Sequence, residues 1–435
     1  SSNANPLSLL KYYQDNTKTN RYLINLSLDY NITKDLNFKV NTGFDRSNSE
    51  RGLAFSRALN LSNGVFGNGR AGILDVETQS DLLEAFFNFK RNMGKAELSA
   101  VLGYSYQEFN RSGFTTLGYG FQTDDMDTML DNLRASSDII RGSITQSYQQ
   151  FGLDADRFFI NQLFPEPGPP IDITPRPSGV NVTAVSGDVF DTVDELQSVF
   201  GRVNYNISQK YLLTATLRAD GSTRFGGNNK YGLFPSAAFA WRLSEEDFIP
   251  AAFDDLKLRL GYGVTGNQEI PHNLHQQRQR YRGIGPDNGG NINPPGINDV
   301  AYKNDDLKWE ETSQLNLGLD FGFASGKLSG TIDVYRKVTT NLLMQITAAQ
   351  PSPQPFFWKN LDAEVINSGI EFTLNYYALD NENSGLNFGL NLSYNKNIVE
   401  NFNGIADTGG INGQGLSGAF AQRIADGQPL YSFFL

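Results

Sequence analysis

The feature that most constrains the fold of this chain is the alternation of apolar and polar residues over long runs. In one run Tyr22, Leu26 and Tyr30 share a face with two further aliphatic residues, and the opposite face is mostly polar. A period of two is typical of a β-strand whose two faces meet different surroundings. The pattern recurs at residues 36–44, 96–106, 199–207, 211–219, 233–243, 256–264, 315–323, 328–334, 370–376 and 386–394, and more weakly at 81–90. We therefore predict about twelve strands.

The length of these runs and the chemistry of their apolar faces allow two kinds of β-protein. Many runs reach the roughly 9–11 residues that cross a bilayer at a tilt, whereas strands of soluble proteins most often have about 5–6 residues. The apolar faces of the eleven clear runs carry no charge. A charge facing lipid at the midplane costs about 2–4 kcal/mol, so lipid exposure explains this absence. A soluble β-sandwich would also keep charge out of its core, and alternation alone leaves both folds open.

The lengths of the connections separate the two folds. Short and long connections alternate along the chain, so that short turns lie at one end of the strands and long loops at the other. Outer-membrane barrels sort their connections in this way, and a Greek-key sandwich has no reason to do so. The sequence therefore predicts an all-β fold, an antiparallel transmembrane β-barrel with short periplasmic turns and long extracellular loops. The short connections are 31–35, 91–94, 208–210, 244–254, 324–327 and 378–385, and the long ones are 47–72, 110–194, 221–231, 267–305, 340–364 and 400–429.

Composition argues against several other classes of protein. No run of about 18 apolar residues is present, as a transmembrane helix would need. The lack of cysteine excludes disulfides and thiolate metal sites, and a net charge of −11 argues against a nucleic-acid partner. Neither G-x-S-x-G nor H-E-x-x-H occurs. We therefore expect no enzymatic activity and no cofactor.

Two groups of residues have the chemistry of metal ligands, and neither group predicts a site. His272 and His275, the only histidines, are three residues apart and lack further ligands. Asp124, Asp125 and Asp127 lack the glycine and the distal glutamate of an EF-hand loop. The sequence therefore predicts no metal site.

Several segments from about residue 199 onward resemble one known family. They include K-Y-L-L-T-A-T-L-R-A-D-G-S-T-R-F-G at 210–226, Y-G-L-F-P-S at 231–236, G-Y-G-V-T-G-N-Q at 261–268, L-K-W-E-E-T at 307–312, N-S-G-I-E-F at 367–372 and G-Q-P-L at 427–430. In this order they resemble the SusC/RagA class of TonB-dependent outer-membrane transporters of Bacteroidetes. The first 190 residues fit this family by strand pattern only.

The resemblance implies a fold and a function. It implies a roughly 22-stranded barrel with a plugged lumen, of which residues 1–435 are a partial transmembrane domain, with the plug and the closing strands outside this chain. It also implies active import of large nutrients, oligosaccharides or oligopeptides, across the bacterial outer membrane. The expected partners are a SusD-like surface lipoprotein, TonB through a segment outside this chain, and membrane lipid. The alternatives are a soluble all-β adhesin or lectin, and an outer-membrane secretion-associated barrel.

Polar residues on the strands are the candidates for contact with a substrate or a plug. The alternation turns them toward the lumen, although a charge-paired wall that only holds the plug would have the same sequence. The candidates are Arg202, Arg218, Asp220, Arg242, Arg259, Asp320 and Glu371.

Loop residues form a second set of candidates, for contact with a ligand or a lid protein. Arg280, Tyr281 and Arg282 lie in one long loop, and Phe356, Phe357 and Trp358 lie in another. The alternatives are a solvated run for the first set and a hydrophobic cluster between loops for the second. We also expect the proline-rich loop 110–194 to help dock the lid, and Pro235, inside a strand, to mark a local β-bulge.

Overall fold

The structure is a computed structural model, and it describes most of the chain. The described residues are 6–56, 58–59, 69–121, 123–143, 148–153, 159–164, 171–172, 184–272, 274, 276, 278–282, 285–286, 292–293, 296–301, 303–347, 356–381, 384–411 and 419–433.

The described residues form 24 strands, two α-helices and a short 3-10 helix at Leu243–Glu245. The helices are α1 (Pro6–Tyr12) and α2 (Met126–Ser143). The strands are β1 (Tyr13–Asn31), β2 (Leu36–Phe55), β3 (Arg70–Met93), β4 (Ala96–Tyr119), β5 (Tyr148–Leu153), β6 (Phe159–Phe164), β7 (Ile171–Asp172), β8 (Ala184–Ile207), β9 (Tyr211–Ser222), β10 (Tyr231–Arg242), β11 (Phe253–Asn267), β12 (Arg278–Arg282), β13 (Gly285–Pro286), β14 (Ile292–Asn293), β15 (Gly296–Ala301), β16 (Glu310–Phe323), β17 (Leu328–Thr340), β18 (Leu342–Thr347), β19 (Phe356–Leu361), β20 (Glu364–Asn381), β21 (Ser384–Glu400), β22 (Ile405–Ile411), β23 (Ala419–Ala425) and β24 (Ser432–Phe433).

Twelve of these strands form one antiparallel sheet whose spatial order follows the chain. The order is β1-β2-β3-β4-β8-β9-β10-β11-β16-β17-β20-β21, with every pair antiparallel. Tight turns join the strands at one end, which we call the short-turn end, and long connections join them at the other, the long-loop end. The predicted twelve strands and the alternating connections are confirmed.

The sheet has two chemically different faces. Paired residues share a face, so the register extends each strand's alternation across the sheet. On β9 to β17 one rung joins Leu213, Phe239, Leu260, Leu317 and Val334. We call the face that carries these apolar residues the outer face, and the opposite one the inner face.

The strands rise further at the long-loop end than the sequence indicates. Residues 47–72 and 110–194 were expected to be loops, yet β2 and β3 continue to Phe55 and from Arg70, and β4 and β8 continue to Tyr119 and from Ala184. The outer face of these extensions carries polar residues such as Arg46 and Glu50. Beyond the apolar zone a strand no longer needs an apolar face, so the pattern that predicts it ends before the strand does.

Pro235 does not mark a bulge, contrary to the prediction. The register between β9 and β10 is continuous and pairs Pro235 with Leu217. On the other side, the ladder with β11 begins only at Ser236. The proline therefore stands just past the end of one ladder, where a missing N–H is tolerated.

Helix α2 packs against the outer face of the extended strands at the long-loop end. Met129 and Leu133 are fully buried against a cluster that includes Ala54, Ile73 and Phe114. Across this contact the Thr116 and Ser137 hydroxyl oxygens are 2.8 Å apart. No helix among the described residues is long and apolar enough to cross a membrane.

Candidate functional site: the inner wall and the long-loop rim

The inner face carries a network of charged side chains centred on Arg259. Its Nε donates to Asp320 Oδ1 at 2.9 Å, and its Nη2 donates to Asp333 Oδ2 at 3.0 Å. Lys257 Nζ lies 2.6 Å from the other Asp320 oxygen, and Asn316 Nδ2 donates to Asp333 Oδ1 at 3.0 Å. The network ties β11, β16 and β17 together on the polar side of the sheet, and its members remain partly accessible.

A glycine makes this network possible. Gly318 lies on the same rung as Arg259 and Asp333, on the strand between theirs. A Cβ placed on Gly318 would lie 2.6 Å from Arg259 Cζ and 2.5 Å from Asp333 Oδ1. The guanidinium therefore reaches its second carboxylate across the space that a side chain would occupy.

A second ion pair lies on β9. Arg218 Nε donates to Asp220 Oδ1 at 2.7 Å, and Nη2 donates to Ser198 Oγ at 2.7 Å. The guanidinium also lies 5.2 Å from the centre of the Phe200 ring. Asp220 is 8% exposed, so this pair braces the wall more than it offers a free charge to a ligand.

The remaining wall candidates are dispersed. Arg202 Nε donates to Thr216 Oγ1 at 3.1 Å, and Arg242 lies at the short-turn end, 3.7 Å from Glu245. Glu371 shares the rung of Asp333 and is exposed. Arg259 and Asp320 are thus in direct contact, Glu371 borders their network, and Arg202, Arg218 and Arg242 lie elsewhere on the wall.

Arg224 organises the long-loop rim, and sequence reasoning did not single it out. Its Nη2 donates to Asp194 Oδ2 at 3.1 Å, and its Nη1 donates to the carbonyl of Ile270 at 3.2 Å. The only sequence signal for this role was its place in the family-like run at 210–226. His272 Nδ1 lies 2.5 Å from the same Asp194 oxygen. Arg224 thereby fixes the start of the connection that follows β11.

Beside Arg224 an aromatic core closes the rim. Phe225 is fully buried, and its ring centre lies 4.9 Å from that of Trp309, which is 5% exposed. Phe234 meets Trp309 edge-on at 5.4 Å. Trp309 Nε1 donates to the carbonyl of Lys230 at 3.1 Å. Two family-like segments that are far apart in sequence, 221–226 and 307–312, therefore meet in one core.

The second loop candidate set joins this core in part. Trp358 is half-buried and packs against the Phe225–Trp309 cluster, and its carbonyl accepts a hydrogen bond from Asn304 Nδ2 at 3.0 Å. This contact supports the alternative that the aromatics pack loop against loop. Phe357 is half-buried, and the side chain of Phe356 lies outside the described residues.

The first loop set lies on a small ribbon. Arg280, Tyr281 and Arg282 belong to β12, which pairs with β15 apart from the main sheet. Their side chains lie outside the described residues, so their contact with a ligand stays a prediction.

The acidic run before α2 has a structural role. Asp125 Oδ1 accepts a hydrogen bond from the Thr128 backbone N–H at 3.0 Å, as an N-cap residue does. His275 lies outside the described residues. In the part of the chain that the structure describes, no group of three or more His, Cys, Asp or Glu residues has the arrangement of a metal site.

At the short-turn end a carboxylate is held by three donors. Glu246 accepts hydrogen bonds from Trp241 Nε1 at 3.1 Å, from Lys210 Nζ at 3.0 Å and from Tyr211 Oη at 2.9 Å. These donors, Trp241 foremost, lower the pKa of Glu246 below its usual value of 4.5. The connection between β10 and β11 is thereby fastened to the turn between β8 and β9.

The outer face decides between a membrane protein and a soluble one. Its large apolar side chains are widely exposed, among them Tyr22 at 71%, Leu26 at 59% and Leu392 at 57%. In a sandwich this face would be covered by a second sheet, and among the described residues none packs on it. An apolar outer face, a polar inner face and sorted connections define the wall of an outer-membrane β-barrel.

Comparison with known proteins names the family. Residues 2–421 match the family described as TonB dependent receptor-like, beta-barrel, and the chain belongs to this family. Its location is therefore the bacterial outer membrane, with the long-loop end extracellular and the short-turn end periplasmic.

Individual relatives agree with this assignment. The TonB-dependent receptor P3 of Formosa agariphila is 29% identical over 99% of this chain and 38% of its own length. The TonB-dependent receptor SusC of Bacteroides thetaiotaomicron is 33% identical over 50% of this chain and 22% of its own length. The structure of the RagAB peptide transporter matches with a TM-score of 0.73 at 20% identity, over 98% of this chain and 40% of that one. The chain thus spans about two fifths or less of these relatives, and the predicted SusC/RagA class is confirmed.

Proposed function

We propose that this chain is part of the wall of a TonB-dependent importer that takes up large polar nutrients, oligosaccharides or oligopeptides. The observation that carries the proposal is the two-sided sheet, with lipid-compatible side chains outside and the Arg259 network inside. Such a wall has the chemistry to surround a wet path for a polar solute. The names of two relatives, SusC and the RagAB peptide transporter, support import as the activity of this class.

The inner wall supports passage or plug contact more than tight capture. Arg259 and Arg218 are already engaged by carboxylates on the same wall. Exposed Glu371 beside Asp333 adds negative character near the network. Hydrogen-bonding groups held in place but not fully buried suit weak, repeated contacts with a moving solute or with a plug domain.

Capture would then belong to the extracellular rim and to a SusD-like lipoprotein above it. The Phe225–Trp309 core and the Arg224 contacts give the connection 268–309 a fixed base on the barrel. A fixed base is what a lid partner needs on a rim. Opening of a plug by TonB completes the proposed cycle through segments that this chain does not supply.

Uptake by whole cells tests the proposal. In the host bacterium, the gene is deleted and restored, and uptake of fluorescent oligosaccharides and oligopeptides is measured with and without TonB. We expect uptake of one class to fall to background on deletion of the gene and again on loss of TonB. Wild-type uptake of every tested solute by the deletion strain would refute the import function. A surface lipoprotein should also co-purify from outer membranes in mild detergent, and its absence would refute the lid.

A further inference from the structure

The outer face carries two cations without acidic partners. Arg336 on β17 and Lys396 on β21 lie on the outer face because they continue the alternation of Val334 and Tyr394. Both are exposed, and neither forms an ion pair or hydrogen bond with any residue that the structure describes. By contrast, Arg46 on the same face pairs with Asp81 at 2.7 Å.

The two cations lie on one rung with a hydroxyl between them. Arg336 pairs with Ser368, and Ser368 pairs with Lys396. Two strand spacings place their Cα atoms roughly 10 Å apart. Side chains as long as arginine and lysine reach toward each other over that distance, so both can contact one phosphate group.

The same rung leads to an apolar groove. Going the other way from Arg336 it passes Leu315, Tyr262, Ala237 and Ala215. The groove on this part of the outer face has a volume of about 380 Å³. Its floor includes the paired alanines Ala215 and Ala237, and its sides include larger residues, Leu213, Phe239, Leu260, Tyr262 and Leu315.

The rung runs obliquely through the apolar zone. Ala215 lies in its middle, with Tyr211 and Leu213 toward the periplasm and Leu217 toward the outside. Arg336 and Lys396 follow the apolar residues of β17 and β21 at the extracellular edge. Strands of membrane barrels are tilted by about 35–45°, so a rung across them climbs through the membrane. At this edge a cation on the lipid face costs only about 0–1 kcal/mol.

We propose that this surface binds one phosphorylated lipid of the outer leaflet. An acyl chain lies in the groove of Ala215 and Ala237, and the phosphate is held by Arg336 and Lys396 with the Ser368 hydroxyl between them. The groove and the cations are each suited to one end of such a molecule. Because the rung joins them from mid-membrane to headgroup level, one lipid meets both.

Native mass spectrometry of the complete protein in detergent tests the site, with lipid A as the probe. We expect R336Q/K396Q to bind lipid A about tenfold or more weakly than wild type, because two charge-assisted hydrogen bonds are lost. R91Q/K95Q is the matched control, since it removes two exposed cations at the periplasmic end and should bind as wild type does. Heat-dependent gel mobility confirms that each variant is folded.

A second pair of variants tests the groove. Filling it with A215L/A237L should weaken lipid A binding several-fold, whereas A85L, on the outer face away from the groove, should leave it unchanged. Dephosphorylated lipid A should bind weakly, and inorganic phosphate should not displace the lipid.

Two results would overturn the proposal. Equal lipid A binding by R336Q/K396Q and wild type excludes a role for the cations, and equal binding of dephosphorylated lipid A excludes phosphate recognition. Displacement by inorganic phosphate would reduce the surface to a simple anion site and also contradict the proposal. The assay needs no uptake, so its outcome is independent of the import function.

Discussion

At the scale of single residues, Gly318 shows how an absent side chain can position a charge. The Arg259 guanidinium crosses over it to reach Asp333, and the two neighbouring rungs supply Asp320 and Asn316. The network is therefore a property of three strands in register, which no one of them specifies alone.

Gly318→Ala should weaken the wall. The added Cβ would displace the guanidinium, which at 2.6 Å is too close, and would cost the hydrogen bond to Asp333, about 1–3 kcal/mol. Thermal unfolding of the detergent-extracted protein measures this loss. Gly261→Ala is the matched control, since it lies on the inner face of the adjacent strand with nothing within 4 Å of the new Cβ. Equal loss in both variants would show that Gly318 has no special role.

The sequence predicts the face of a residue better than its partner. Alternation alone placed Arg259, Asp320 and Glu371 together on the inner face, as the register has them. It did not reveal Gly318 or the reach of Arg224 to Asp194, because these contacts depend on which residues of distant strands lie opposite each other. The same limit explains Pro235, whose tolerance depends on where the ladder with β11 begins.

At the scale of elements, the rim core joins segments that the sequence keeps apart. Trp309 is 5% exposed between Phe225 and Phe234, and its indole N–H is bonded to the carbonyl of Lys230. The residues before β16 are therefore held against β10 and the connection between β9 and β10.

Trp309→Ala should loosen this rim while leaving the membrane-spanning strands intact. Loss of a buried tryptophan costs about 3–5 kcal/mol, and here the cost falls on the packing of the extracellular connections. We expect limited proteolysis of intact cells to cut region 268–309 faster. The half-buried Trp358, changed to Ala, should give a smaller increase. Unchanged cleavage in Trp309→Ala would contradict the rim-core assignment.

The Glu246 turn predicts a pH dependence at the periplasmic end. Its pKa is lower in the folded protein than the usual 4.5, so the ionised carboxylate stabilises the fold above about pH 4.5. This stabilisation is lost as the pH falls through the lowered folded-state pKa. Between about pH 5 and 3, the melting temperature of wild type should therefore fall more steeply than that of Glu246→Gln. Glu245→Gln, whose only contact is Arg242 at 3.7 Å, should follow wild type. Parallel wild-type and Glu246→Gln curves would refute this role.

Element boundaries were predicted well at one end and poorly at the other. The turns 208–210 and 324–327 fall where expected, because the apolar pattern persists to the periplasmic edge of the strands. At the extracellular end, β3, β4 and β8 each reach 24 residues, and their upper parts lack the alternation that identifies a strand. Hydrogen bonding to neighbouring strands, not side-chain pattern, extends them there.

At the scale of the whole molecule, the outer face makes a claim about lipid that a single charge can test. Leu317 lies in the middle of β16 on this face and is 49% exposed. Leu317→Arg should lower the free energy of folding into a bilayer by about 2–4 kcal/mol, against about 0–1 kcal/mol for Ser313→Arg near the extracellular edge. Urea titration of protein refolded in vesicles measures both. Similar costs at the two positions would contradict lipid contact.

The order of strands in the sheet also bears on how the protein is assembled. Neighbours in the main sheet are neighbours in the chain, so each new strand can add to an edge already formed. The widest gap, between β4 and β8, costs little extra closure entropy, because that cost grows only with the logarithm of loop length. Growth of such a sheet is a succession of local zipping steps. An insertion machine can therefore accept it one hairpin at a time, without ever bringing together distant parts of the polypeptide.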